Sequence, residues 1–257
     1  MKNLVVPFLI LLLTGCTHYY YAPNSANIPL FKEKNTFKGK ADIGGGDGYT
    51  AGDIQLAYSA TPKIAFMLNS FFAGKSEVVP DINLSNTSHE ESGKGSYFEL
   101  GAGYYKAFGT NKVWVFETYA GSGIGSENHT YNYNQTANLG ISKYFIQPSF
   151  GYTSKKQNFE IAVGSRFCSL NLKMKQNNVS LQENSDNKQV LDTIGIHPSS
   201  ILWEPSIMIA AGWKGFKFFL EKTSSQNWSN HYLPQEDVNL IIGIKFTIHS
   251  ETKAAIR

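Results

Sequence analysis

The chain predicts an all-β fold, an up-and-down antiparallel β-barrel of about ten strands (8–12) of the outer-membrane type. Three observations carry that expectation. Apolar and polar residues alternate with period two in stretch after stretch, and no sustained helical period competes. Connections alternate between short turns and long polar loops, the habit of barrels that cross a membrane. Sorting alternate residues leaves one face bulky and apolar and the other small and sparsely charged.

The alternating stretches fall near 38–46, 49–60, 63–73, 95–107, 112–123, 139–153, 157–172, 200–213, 215–223 and 237–249. Glycines inside them, such as Gly101, Gly121, Gly164 and Gly243, mark bends or close approach. Short turns are expected at Thr61-Pro62-Lys63, Gly109-Thr110-Asn111, Ser154-Lys155-Lys156 and Lys214-Gly215. Long polar loops are expected at 74–94, 124–138, 173–199 and 224–236, and only the connection near Asp47-Gly48 is short on that side. An even strand count is expected to return the C-terminus to the same side as the N-terminal anchor.

The apolar face includes Phe66, Leu68, Leu100, Ile146, Ile207 and Ile242, whereas the opposite face includes Asp53, Gln55, Gly121, Gln147 and Gly151. In a soluble, lipid-tethered barrel the apolar face would line a ligand cavity; in a membrane barrel it would meet lipid. A water-facing surface carries long Lys and Glu side chains at most positions. Here the polar face is mostly Gly, Ala and Ser, which suits a narrow interior. On that reading Glu99, Glu117, Glu160, Glu204 and Glu221 meet Arg166, Lys217 and Lys245 in a lumen charge network. Tyr58, Trp114, Tyr152, Phe159, Trp213 and Phe216 gather around the short turns, as an interfacial aromatic girdle does. Closure also leaves no unpaired strand edge in lipid. One departure is the end of the chain, which runs past Phe246 and Ile248 into Ser-Glu-Thr-Lys-Ala-Ala-Ile-Arg rather than finishing on an aromatic residue.

The first fifteen residues carry one charge, Lys2, and an apolar run from Leu4 to Leu13 broken by Pro7. That run is half of the roughly 20 residues a spanning helix needs. It reads as a signal peptide over 1–15. Leu13-Thr14-Gly15-Cys16 resembles the lipobox of bacterial lipoproteins, and the resemblance implies cleavage before Cys16, a thioether-linked lipid on its sulfur and an acylated (palmitate-type) amino terminus. Residues 16–37 would then be a lipidated tether and 38–257 the barrel domain. Tyr19, Tyr20 and Tyr21 would sit either at headgroup depth, where aromatic rings are favoured, or against the protein's own surface.

Little else suggests chemistry. The formal charge of +3 gives no electrostatic footprint for nucleic acid, and no cofactor motif is present. With Cys16 committed to lipid, Cys168 has no partner and reads as a small buried residue. Glu99 and Glu117 lie on neighbouring strands and could approach as an acid–base pair, but a lumen ion-pair network that plugs a small barrel is the preferred reading. His89, His129, His197 and His231 fall one to each long loop, without metal-ligand spacing. His231 with Asp237, or His197 with Ser199 and Ser200, could act as catalytic pairs at the rim, yet no spacing is diagnostic. No catalytic or metal-ligating residue is assigned.

Tyr20-Tyr21-Ala22-Pro23-Asn24, then Ile28-Pro29-Leu30 and a Gly-rich first strand, resemble uncharacterised outer-membrane lipoproteins of Bacteroidota, from the lipobox to about residue 73. The resemblance implies no activity. Surface-exported lipoproteins of those bacteria often carry an acidic run after the cysteine, whereas Thr17-His18-Tyr19 follows here, which implies an anchor in the periplasmic leaflet. The expected partners are the bilayer, through the Cys16 lipid and the barrel wall, and a protein or surface polymer at the four long loops.

Overall fold

The computed structural model describes residues 19–80 and 88–249, and the lipobox with Cys16 lies outside these described residues. The strands are β1 (Thr36–Gly45), β2 (Thr50–Ser59), β3 (Ile64–Pro80), β4 (Ser88–Phe108), β5 (Trp114–Tyr131), β6 (Gln135–Thr153), β7 (Phe159–Asn177), β8 (Ser199–Gly212), β9 (Phe216–Ser224), β10 (Gln226–Asn227) and β11 (Val238–His249). From β1 to β9 each pairs antiparallel with the next; β9 then pairs with β11, and β11 with β1. Among the described residues, ten strands therefore close a barrel, and the short β10 adds to β8 at the rim. Thr36 pairs with His249, so the barrel begins and ends at the short-turn side.

The alternation seen in the sequence settles which face is outside. On β7, Phe159, Ile161 and Val163 point outward, while Glu160, Ala162 and Arg166 are buried. The same holds around the wall, with Leu68, Leu100, Ile146, Ile209 and Ile242 each at least 40% exposed. The apolar face thus lines no ligand cavity; it is the outer surface. Outward apolar positions run from Ile64 to Phe72 on β3 and from Phe98 to Phe108 on β4, close to the 9–11 residues a tilted strand needs to cross a bilayer. At the short-turn edge Trp114 stacks on Phe150 at 5.4 Å and touches Tyr152 at 5.0 Å. The opposite edge carries Phe167, Trp203 and Trp228 with ring centroids 5.6–5.9 Å apart. No helix among the described residues is long and apolar enough to cross a membrane.

Two expectations about the loops need correction. Most of 74–94 and 124–138 is strand: Lys75 pairs with Gly93, and Ser92 with Thr130. Small and polar residues dominate these stretches, so hydrophobic periodicity is faint there, yet the ladder satisfies their backbone groups. The 173–199 segment contains a helix, α1 (Ser185–Ile196), which buries only Leu191 and Ile194. Two apolar positions three residues apart are too few to stand out as a helical period. The β4–β5 turn behaves as its composition suggests, with Gly109 (φ 77°) and Asn111 (φ 62°) in the left-handed region.

Candidate functional site

The lumen is occupied by the protein's own chain. Residues 20–31, which a tether outside the barrel would have exposed, are buried without interruption. They cross the barrel interior before β1 begins at its short-turn end. Tyr20 and Tyr21, expected at headgroup depth or on the protein's surface, are inside, with 0% and 1% of their surface exposed.

An extended chain with no strand beside it must satisfy its backbone groups some other way. The lumen side chains do this by charge type. Carboxylates accept from the N–H groups: Ser25 donates to Asp53 (3.1 Å), Ala26 to Glu221 (2.6 Å), and Leu30 and Phe31 to the two oxygens of Glu117 (3.0 and 2.6 Å). Cations and amides donate to the carbonyls. Arg166 reaches Asn24 (2.9 Å), Lys40 reaches Ala26 (3.1 Å), Gln147 reaches Asn27 (2.8 Å) and Lys245 reaches Ile28 (3.2 Å). Lys38 caps both Pro29 and Leu30, at 2.6 and 2.9 Å. Pro23 and Pro29 carry no N–H and so need fewer partners.

The same residues are tied to one another in three clusters. In the first, Arg166 Nε donates to Glu204 at 2.7 Å and Lys143 Nζ lies 3.1 Å from Glu99. Tyr21 joins it, donating to Glu204 (2.5 Å) and accepting from Lys143 (2.8 Å). In the second, Lys40 binds Glu221 at 2.7 Å. In the third, Glu160 lies 3.2 Å from Lys217 and 3.0 Å from Lys245. Glu99 and Glu117 do not meet. Glu99 sits opposite Gly123 on β5, six positions along that strand from Glu117, or roughly 20 Å at the usual strand rise. Two lumen glycines face the crossing chain: a Cβ on Gly151 would lie 2.5 Å from Leu30 Cδ2, and one on Gly164 3.1 Å from Ile28 Cδ1.

Face-sorting did not single out Lys38, Lys40 or Lys143, and it missed the crossing chain altogether. A signal for that chain was present: no Asp, Glu, Lys or Arg occurs between Lys2 and Lys32. A tether in water would be expected to carry some charge, and this segment offers amides and apolar residues instead.

At the long-loop mouth, Tyr20 stands 4.5 Å from the His129 ring and shares a 2.8 Å hydrogen bond with Tyr131. The outward neighbours there are Ser126, Asn128 and Thr130, which puts this level beyond the apolar band. Burial lowers His129 to about 4 and pushes Glu127 well above the usual carboxylate range. Their side chains lie 3.3 Å apart, and burial favours the neutral form of each. A cavity of about 60 Å³ adjoins them, bordered by Tyr49, Phe71, Lys94 and Glu236, with room for a few waters rather than a solute. His197 stacks on Tyr232 at 5.4 Å, Ser199 accepts from Asn171, and Asp237 accepts from Ser225 through its carbonyl. These contacts are not those of a catalytic pair.

Glu236 makes the mouth pH-sensitive. Burial raises its carboxyl to about 7, against a backbone hydrogen bond with Asp47 that lowers it. The folded state then holds a proton that the unfolded chain releases above the ordinary carboxylate range, so this contribution is full at low pH and is lost as pH rises through about 7. Exchange protection at the Glu236 and Tyr20 amides, corrected for intrinsic rates, should fall between about pH 5 and 8. Glu236→Gln should flatten the profile; an unchanged profile would assign the effect elsewhere.

No protein-family model matches the chain, and a search of curated proteins finds no match. Among solved structures it is similar to in-vitro folded OmpT, an outer membrane protein of Vibrio cholerae. The trimer form aligns over 82% of this chain and 98% of its own at 11% identity and a TM-score of 0.27. A second structure of OmpT aligns over 86% and 100% at 10% identity and a TM-score of 0.28.

Proposed function

We propose that this chain is an outer-membrane lipoprotein with a transmembrane barrel body and a structural or surface-interaction role, anchored additionally through a lipid on Cys16. The observation that carries the reading is the apolar outer surface, continuous around the wall and edged by aromatic rings at both ends. Water would not leave so large an apolar surface uncovered on a soluble protein, and hydrocarbon needs it. The crossing chain and its partners fill the lumen, so its charges hold a segment in place rather than conduct a solute. Contact with a protein or surface polymer falls to the long-loop rim. Tyr133, Leu181, Ile196 and Tyr232 expose apolar surface there.

The test is gel mobility of the outer-membrane fraction after carbonate extraction, unheated against boiled. Retention with a heat-dependent shift is the expected result for a closed barrel in the bilayer. Retention without a shift, together with a folded and soluble Cys16→Ala variant, would mean that lipid alone holds the protein.

A further inference from the structure

We infer that the chain upstream of Tyr19, Cys16 included, leaves the barrel on the long-loop side, so that its lipid enters the leaflet opposite the short turns. This rests on the membrane-spanning reading above. With the short turns on the periplasmic side, as in outer-membrane barrels, the lipid would lie in the outer leaflet and not in the periplasmic leaflet expected from the residues after Cys16.

The direction of the crossing is fixed at both ends. Tyr20 N–H donates to Pro234 (2.9 Å) and Glu236 N–H donates to Tyr21 (2.9 Å), and both partners lie in the long β9–β11 connection. At the other end Phe31 packs 5.5 Å from Tyr105, and Ser59 at the foot of β2 donates to the Glu33 carbonyl (2.8 Å). Strand β6, which descends from the long-loop rim to a short turn, serves as a ruler between them. Its Lys143 meets Tyr21 and Asn24, its Gln147 meets Asn27, and its Gly151 faces Leu30.

Chain length then decides the leaflet. Eleven steps from Tyr20 to Phe31 span at most roughly 36 Å, with Leu30 turned out of the extended range (φ 58°), against a hydrocarbon core of about 30 Å. Cys16 lies three residues before Tyr19, a reach of at most about 11 Å. It cannot return across the core. A lipid there also acts as a stopper, because the filled lumen would not pass acyl chains, and the wall must close around a chain already anchored.

The test uses the full chain in the outer membrane of intact cells, with one epitope at each of three places. These are between Thr17 and His18, at the rim beside His231, and in the Ser154–Asn158 turn. Protease added outside should remove the N-terminal and rim epitopes together and spare the turn, or spare both and remove the turn if the barrel sits the other way up. An N-terminal epitope that follows the turn overturns the inference and leaves the barrel reading standing. Three epitopes that respond alike overturn the membrane-spanning reading itself. An N-terminal peptide whose mass shows no acyl group on Cys16 overturns the leaflet assignment. Should an epitope disturb assembly, hydrogen exchange on the unaltered protein decides the crossing. Ser25, Ala26, Leu30 and Phe31 amides should exchange as slowly as strand amides; rates like those of the Gly109–Lys112 turn overturn it.

Discussion

Arg166→Ala should destabilise the barrel by about 3–5 kcal/mol, the usual cost of removing one partner from a buried charge network. Arg166 holds Glu204 at 2.7 Å, lies 3.7 Å from Glu99 and caps the Asn24 carbonyl of the crossing chain. Without it Lys143 alone faces two buried carboxylates, and a buried carbonyl loses its donor. The loss should show as a lower temperature for the folded-to-unfolded mobility shift and as faster exchange at Ser25 and Ala26. The double variant Arg166→Met with Glu204→Gln should recover part of the loss, since it leaves no stranded carboxylate. A single variant within about 0.5 kcal/mol of the parent would mean that these charges are hydrated rather than locked onto the chain.

Ile242→Arg should cost about 2–4 kcal/mol, the range for a cation on the lipid face near mid-membrane. Ile242 is 56% exposed, pairs with Ile43 and Leu220, and has Leu240 and Ile244 as outward neighbours, with Lys222 one outward position nearer the long-loop rim opposite Leu240. Ile248→Arg, also outward but at the short-turn end of β11 beside Phe37, should cost about 0–1 kcal/mol, because its guanidinium can reach the interface. Folding yields into bilayers, compared between the two variants, give the measurement. Equal effects at both positions would remove depth dependence and with it the case that this face meets lipid.

The barrel was legible because its signal is local. Period-two alternation and turn residues such as Gly109-Thr110-Asn111 are set by each strand on its own, and the face carrying Glu99, Glu160 and Arg166 follows from parity alone. What failed was polar structure. The hairpin extensions above the apolar band are mostly small and polar residues, and α1 buries two side chains. Neither leaves a hydrophobic period to read.

Sequence by itself therefore indicated the wall: about ten strands, which apolar side chains face out, and some of the charges that face in. Only the tertiary structure decided what those charges are for. Nothing near Tyr20–Phe31 in sequence indicates that Glu117, 86 residues from Phe31, and Glu221, 195 residues from Ala26, would receive its N–H groups. A chain that borrows its hydrogen bonds from distant strands carries no periodicity of its own. Its path through the lumen exists only once ten strands have closed around it.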